Sequence, residues 1–489
     1  MTRQSALSAL AAMLLAAATL PAWSGDSGPT PCRIAGIKNE VKCGVLKRPL
    51  DPAQPQGTSI DLHFVVVPAM ARNKLPDPVF LLAGGPGQSA ITVAPQVLPL
   101  FTRLNNRRDI VFVDQRGTGR SAPLACEDPR HQTLAEQADP RRQVAQMRRC
   151  RERLQQLPHG DLRFYTTTIA MQDLEAVRQA LGAAQINLVG ASYGTRAALE
   201  YQRQFPAAVR RSVLDGVAPP DMVLPLSYAT DGEAAFEAVF AACEAEPACR
   251  AAHPQLRTQW TTLLASLPKA VTLRHALTGR SEPVTVTREM LLGAMRGPLY
   301  SPPVAAALPQ AISEAAAGRY DALVGLGSLF ASRKGSMLAM GMHFSVVCAE
   351  DHPRMAGDGA APESGFGRDF TRLYREVCAD WPRGEVPAAF YAIPASRSPV
   401  LALSGGIDPV TPPRHGERVV QALGAKARHV VVPHGGHGLM SLTCMREVLY
   451  RFIDAADDAA ALAVDAGCAK DIPRPPAYRP IVAPAEGAP

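Results

Sequence analysis

The chain has 489 residues, 47% of them hydrophobic and 19% charged, a make-up that supports a sizeable core and excludes general disorder. At about 150 residues per domain, the length fits three domains or one large domain carrying an insertion. Lys and Arg outnumber Asp and Glu by 51 to 44, a formal net charge of +7 spread over the whole chain without a basic stripe, so nucleic acid is not expected as a partner.

The first element in chain order is a leader. Arg3 precedes an apolar run from Ala6 to Leu20, which Pro21 closes, and small residues follow at Ala22 and Ser24. This is the pattern of a secretory signal over residues 1–24, cut before Gly25. The run falls short of the roughly 20 apolar residues that span a bilayer, and no later stretch approaches that length. A secreted or periplasmic protein without stable membrane insertion is therefore expected. In an oxidising compartment the ten cysteines become candidates for disulfides. They lie as five neighbouring couples: Cys32 and Cys43, Cys126 and Cys150, Cys243 and Cys249, Cys348 and Cys378, Cys444 and Cys468. Sequence does not dictate connectivity, and sequential pairing is the expectation. Without a CxxC pair or an HExxH motif, no metal site is expected.

Strand runs follow at residues 59–67, where apolar and polar residues alternate before turning wholly apolar, and at 79–82, 110–113, 186–189, 400–403 and 430–432, which are short and strongly apolar, the signature of buried strands. Helical periodicity lies between them, with Ile169, Leu174, Val177 and Leu181 ahead of the fourth run and residues 195–205 directly after it. Strands alternating with helices predict an α/β fold with a mostly parallel central sheet. From about Pro219 to Pro394 the texture changes to alanine-rich helical stretches with few strand-like runs. The expected organisation is a first α/β part over 25–218, an inserted, mainly helical domain over 219–395, a second α/β part over 396–472 and a proline-rich tail over 473–489.

Chemistry concentrates after the strand ends. Gly190-Ala191-Ser192-Tyr193-Gly194 fits G-x-S-x-G and stands between a strand and a helix, where a sharp turn exposes a serine nucleophile. A serine hydroxyl needs a base, itself oriented by a carboxylate, and in this arrangement the chain order is Ser, acid, His. Asp408 follows the run at 400–403 as the acid, and the run at 430–432 leads to two histidines, His434 and His437. His437, flanked by glycines, is the preferred base. The oxyanion needs backbone N–H donors, expected from Tyr193 and from Gly85 in the loop Gly84-Gly85-Pro86-Gly87. Gly117-Thr118-Gly119-Arg120-Ser121-Ala122 fits a relaxed dinucleotide-binding pattern, but Pro123 stands where the helix should open. Asp114 and Arg116 before it are read as a structural charge pair.

Taken together, Gly84-Gly85-Pro86-Gly87, the stretch from Asp114 to Ser121, Gly190 to Gly194, Asp408-Pro409-Val410-Thr411-Pro412 and Gly436-His437-Gly438 resemble the secreted α/β-hydrolase exopeptidases. The likeness is to bacterial tripeptidyl aminopeptidases and the related proline iminopeptidases, with Ala83 where that family typically has a histidine. The resemblance implies an α/β-hydrolase fold whose inserted cap restricts access to peptide N-termini. It also implies a carboxylate for the protonated α-amine, with Glu350 in Cys348-Ala349-Glu350-Asp351 leading over Asp351, Glu233 and Glu237.

The expected activity is a secreted serine aminopeptidase acting through an acyl-enzyme on peptides with a free N-terminus, with no cofactor. The alternatives are a carboxylesterase or lipase with the same triad and a non-catalytic hydrolase-fold binding protein. The number of residues released per cut and the oligomeric state are not legible.

Overall fold

The computed structural model describes residues 28–329, 338–355, 366 and 368–479; the leader expected over 1–24 and residues 480–489 of the tail lie outside them. The strands in chain order are β1 (Thr30–Cys32), β2 (Val41–Pro49), β3 (Ser59–Val67), β4 (Val79–Leu82), β5 (Ile110–Val113), β6 (Ile186–Ala191), β7 (Val209–Asp215), β8 (Lys269–Arg274), β9 (Ser281–Val286), β10 (Val400–Gly405) and β11 (Ala427–Val432). Nine of them form one sheet in the order β1-β2-β3-β5-β4-β6-β7-β10-β11. β1, β2 and β3 pair antiparallel at one edge, and β3 joins β5 antiparallel. From β5 through β4, β6, β7 and β10 to β11 every pairing is parallel.

Alternate residues of the central strands feed two cores. Val79 and Leu81 of β4 pack with Val189, Val213, Leu401 and Leu403 beneath the helices Ala90–Val97 and Thr443–Asp454. Phe80 and Leu82 pack on the other face with Leu188, Leu214 and Val400 beneath the helices Thr167–Ala180 and Tyr193–Gln204. Each fully buried Leu, Val or Phe contributes about 1.5–3 kcal/mol of transfer free energy, so the parallel strands form a rigid platform between two helical layers.

The segment between β7 and β10 is mainly helical and has its own core, in which Phe236 and Phe240 of the helix Ser227–Ala245 pack with Trp260, Met295, Leu308 and Ile312. It also carries the β8–β9 hairpin, which was not expected from sequence. The described part of the tail lies on this segment, with Arg474 donating to the Ala238 carbonyl and the Tyr478 amide to the Ala306 carbonyl. Strand β7 also escaped the sequence reading, because Arg210 and Arg211 interrupt its apolar run. Arg211 is buried, donating to the carbonyls of Phe452, Ile453 and Asp457 at the end of the helix Thr443–Asp454.

Five disulfides join Cys32 to Cys43, Cys126 to Cys150, Cys243 to Cys249, Cys348 to Cys378 and Cys444 to Cys468. Such bonds belong to oxidising compartments. Among the described residues, no helix is long and apolar enough to cross a membrane.

Asp114 and Arg116 do not form the expected pair. Asp114 accepts from the Ser89 hydroxyl and from the Ile91 and Arg120 amides, whereas Arg116 makes a bidentate ion pair with Asp173. The glycine motif that follows them is a tight turn closed by the Gly117 amide on the Ser121 carbonyl, and no helix opens there.

Candidate active site

Chain order and sheet order together place the site. The chain leaves β4 for β5 on one side and returns to β6 on the other, so a crevice opens at the carboxyl ends of β4 and β6, where open α/β sheets bind ligands. The Gly84–Gly87 loop leaves β4 there, and Ser192 leaves β6. Asp215 ends β7, Asp408 follows β10 and His437 follows β11, all at the same sheet edge.

Ser192 has φ +56° and ψ −123°, a conformation that costs a non-glycine residue about 1–3 kcal/mol. The surroundings hold it there. Its amide donates to the Asp215 carbonyl at 2.8 Å, and its carbonyl accepts from the Thr195 amide and hydroxyl. The turn has no room for side chains at its flanks: a Cβ on Gly190 would lie 2.4 Å from the Gly194 carbonyl oxygen, and one on Gly194 would lie 2.0 Å from that of Leu82. The pattern G-x-S-x-G is thus a steric requirement of the turn.

The Gly84–Gly87 loop runs beside the nucleophile, so near that a Cβ on Gly84 would stand 3.3 Å from Ser192 Cβ. The Gly84 amide donates to Gln88 Oε1. Among the described residues, no acceptor engages the amides of Gly85 or Tyr193. Two contacts from the helix Met340–Glu350 and its entry pin the loop: the Ala339 amide donates to the Gly87 carbonyl, and His343 Nδ1 donates to the Pro86 carbonyl at 3.0 Å. The Tyr374 hydroxyl donates to His343 Nε2 at 2.7 Å. Burial pushes the His343 pKa down to about 4, so this histidine stays neutral and keeps that tautomer.

Asp408 is 1% exposed and fully occupied. Oδ1 accepts from the Val410 and Thr411 amides, and Oδ2 accepts from the Thr411 hydroxyl and from His437 Nδ1, both at 2.8 Å. Burial alone would raise its pKa, but the facing imidazole and these donors outweigh it and hold the carboxyl below its ordinary range. For His437 the signs reverse. Burial disfavours the imidazolium, while Asp408 and, more weakly, Asp215 favour it, and the net shift is upward. With Nδ1–H directed at Asp408, Nε2 carries the lone pair that a base requires.

Two further residues hold His437. The His437 amide donates to the Tyr300 carbonyl, and the Tyr300 ring meets the imidazole edge-on at 5.1 Å. Asp215 accepts from the Leu439 and Met440 amides at 2.9 Å each, fixing the turn that follows the histidine. His434 is exposed at the surface. Of these groups sequence reading missed Asp215, Thr411, Tyr300 and His343; only Asp215, just before a glycine at a strand end, left a legible signal, and the unrecognised β7 hid it.

Glu350 lies elsewhere. It is 1% exposed, with Oε1 accepting from the Thr167 amide at 2.7 Å and Oε2 from the Thr167 hydroxyl at 3.0 Å, and Arg196 at 3.5 Å. Asp351 pairs with the same Arg196 at 3.1 Å. The Tyr193 hydroxyl, hydrogen-bonded to Thr167, links this buried cluster to the helix behind Ser192. An anchor for a substrate amine needs an accessible carboxylate, and these two acids brace the nucleophile helix instead. Of the other two acids, Glu237 pairs with Arg257, and Glu233 is exposed beside Phe236 and Trp260.

The chain matches the family described as alpha/beta hydrolase fold over residues 77–268 and the family of TAP-like proteins over residues 362–460. It is 32% identical to the tripeptidyl aminopeptidase of Streptomyces lividans over 201 residues, 38% of this chain and 36% of that protein. The matched part thus spans about a third of that relative's length. It is 26% identical to the serine protease Hip1 of Mycobacterium tuberculosis over 422 residues, 78% of this chain and 77% of that protein. To the protein named carboxylesterase B of the same species it is 28% identical over 435 residues, 79% of this chain and 78% of that protein. With this sheet and these matches, the chain has the α/β-hydrolase fold and is similar to bacterial tripeptidyl aminopeptidases and to the Hip1 serine protease.

Proposed function

We propose that the protein is an exported serine peptidase that cleaves peptides from a free N-terminus. The observation that carries this reading is the 2.8 Å contact between His437 Nδ1 and Asp408, at the same sheet edge as a serine held at positive φ. In this mechanism Ser192 Oγ attacks the peptide carbonyl while His437 Nε2 takes its proton, and Asp408 stabilises the imidazolium. The Tyr193 and Gly85 amides receive the oxyanion. His437 then protonates the departing amine, leaving an acyl group on Ser192. Water, activated by the same imidazole, releases that acyl group. This chemistry needs no cofactor.

The similarity to a tripeptidyl aminopeptidase supports exo-action, as does the place of residues 219–395. We read that segment as a cap, because it supplies Tyr300 against the base and lines a cavity that reaches Pro409 beside the acid. The five disulfides support export. Glu350 is not assigned to the substrate amine.

A second reading, carboxylesterase, is favoured by the similarity to carboxylesterase B over most of the chain. Matched chromogenic peptides with free and N-acetylated ends, assayed beside short-chain nitrophenyl esters, separate the two. The peptidase reading expects cleavage of the free peptides at least about tenfold faster than of the acetylated ones, a difference of one ion-pair-strength contact. Ester turnover without peptide turnover would replace it with the esterase reading.

A further inference from the structure

The structure's buried guanidinium groups have partners, as buried charges require. Arg116 pairs with Asp173, Arg196 with Asp351 and Arg108 with Asp77. Among the described residues, Arg296 has only aromatic residues for partners, the Tyr228 and Phe370 rings and a side-chain hydrogen bond with Tyr300, and no carboxylate. It lies on the helix Arg288–Leu299, half-buried, with its guanidinium carbon 4.0 Å from the Tyr228 ring centre and 4.2 Å from that of Phe370. Among the described residues, no carboxylate lies within ion-pair distance of it.

Its position is informative. Arg296 lines a cavity of about 440 Å³ together with Tyr228, Leu292, Phe366, Phe370 and Pro409, the residue next to Asp408. The same helix leads into Tyr300, whose ring packs on His437. Stacking on aromatic faces leaves the rim of a guanidinium open, and with one of its N–H donors on Tyr300 the others can still match a carboxylate. Glu289 also lines the cavity, but it stands seven residues earlier on the helix, about 10 Å along its axis, and no ion pair joins the two.

We propose that Arg296 is a specificity-determining residue that binds a carboxylate of the substrate, with the aromatic walls of the cavity taking the adjoining apolar part. From the imidazole through Tyr300 and one helical turn back to Arg296 is on the order of 10 Å, the reach of about three residues of extended chain. The carboxylate therefore belongs about three residues from the scissile bond, as an Asp or Glu side chain or as the C-terminus of a short peptide. This proposal rests on the peptidase reading.

The test measures binding apart from turnover. Ser192→Ala protein is titrated calorimetrically with matched peptide pairs, one pair differing as C-terminal acid and amide and the other as Glu and Gln three residues from the scissile bond. One carboxylate member is expected to bind about tenfold tighter than its neutral twin, and the pair that shows the difference identifies the source. Adding Arg296→Met should equalise that pair while leaving the neutral member within about twofold, which also reports an intact fold; Arg296→Lys should keep part of the preference. Equal binding within both pairs, or a preference that survives Arg296→Met, overturns the proposal. If peptides are neither bound nor cleaved but esters are, the peptidase reading fails separately. The same contrast then runs between nitrophenyl hydrogen sebacate, whose free carboxylate can span on the order of 10 Å from the ester, and nitrophenyl decanoate with the Ser192 enzyme, where a preference for the sebacate must be present and must disappear in Arg296→Met or the inference falls.

Discussion

At the scale of single residues, the acid and base sustain each other. Asp408 holds the imidazolium of His437, and the imidazolium holds the carboxylate, so their pKa values move apart. If His437 is the base, its neutral form is the active one, so kcat/KM should rise with pH through a midpoint above the ordinary histidine value of about 6.5. Asp408→Asn removes the group that raises this pKa. A pH-rate profile of the variant should show the limb moved to lower pH and kcat reduced roughly 10³–10⁴-fold. Thr411 contributes a smaller part through its hydroxyl on Asp408 Oδ2. Thr411→Val keeps the backbone donor and should lower kcat about tenfold with KM nearly unchanged, the effect of one lost hydrogen bond to a charged group. Steady-state kinetics on a single peptide substrate checks this.

At the scale of elements, the strand ends are held in mutual register by polar groups that cross between them. Asp215 at the end of β7 accepts the Leu439 and Met440 amides and so ties the turn after His437 to the neighbouring strand. Asp215→Asn should cost about 1–3 kcal/mol of stability, because a buried donor loses its acceptor, and should lower kcat as His437 loosens. Denaturant unfolding and kinetics on the same preparation measure both. The loop over the oxyanion position is held from the other side by His343, and His343→Phe should reduce kcat more than it raises KM, since the loop's amides matter most in the transition state.

The elements also show why parts of the site were legible in the sequence. The central strands read clearly because both of their faces are buried and their apolar runs are unbroken. Ser192, Asp408 and His437 could be picked out because each follows such a run within a distinctive glycine or proline context. β7 could not, because Arg210 and Arg211 stand inside it and find their partners on a helix more than 200 residues away. The same long range hid Glu350's surroundings: its partners Thr167 and Arg196 belong to helices that precede the insertion, more than 150 residues away in sequence, so a Cys-x-acid motif could not reveal whether its carboxylate was open. Asp114 and Arg116 are near in sequence, yet each turns to a different neighbour, Ser89 and Asp173.

At the scale of the whole molecule, the insertion is tied to the loops at the sheet's carboxyl ends by direct contacts. Tyr300 and Ala339 reach the base and the loop after β4 from residues between β7 and β10, so loosening that segment should affect turnover before the sheet unfolds. The disulfides constrain chain segments of very different length, from 6 residues for Cys243–Cys249 to 30 for Cys348–Cys378. On the loop-entropy account the longer closure stabilises more, about 2–4 kcal/mol being typical for such bonds. Replacing Cys348 and Cys378 by Ala should therefore lower Tm more than replacing Cys243 and Cys249, as calorimetry of the two double variants would show. Cys348 also precedes the Glu350–Arg196 cluster, so its loss should reduce activity as well.

A catalytic Ser192 with His437 as its base should react covalently with a serine-directed phosphonate. Its most direct test is covalent capture: the protein is treated with a fluorophosphonate, digested, and the modified residue located by mass spectrometry. One stoichiometric adduct is expected on the peptide containing Ser192, formed much more slowly in His437→Ala and unaffected in His434→Ala. An adduct on a different serine, or labelling of Ser192 that proceeds at the same rate without His437, would contradict it.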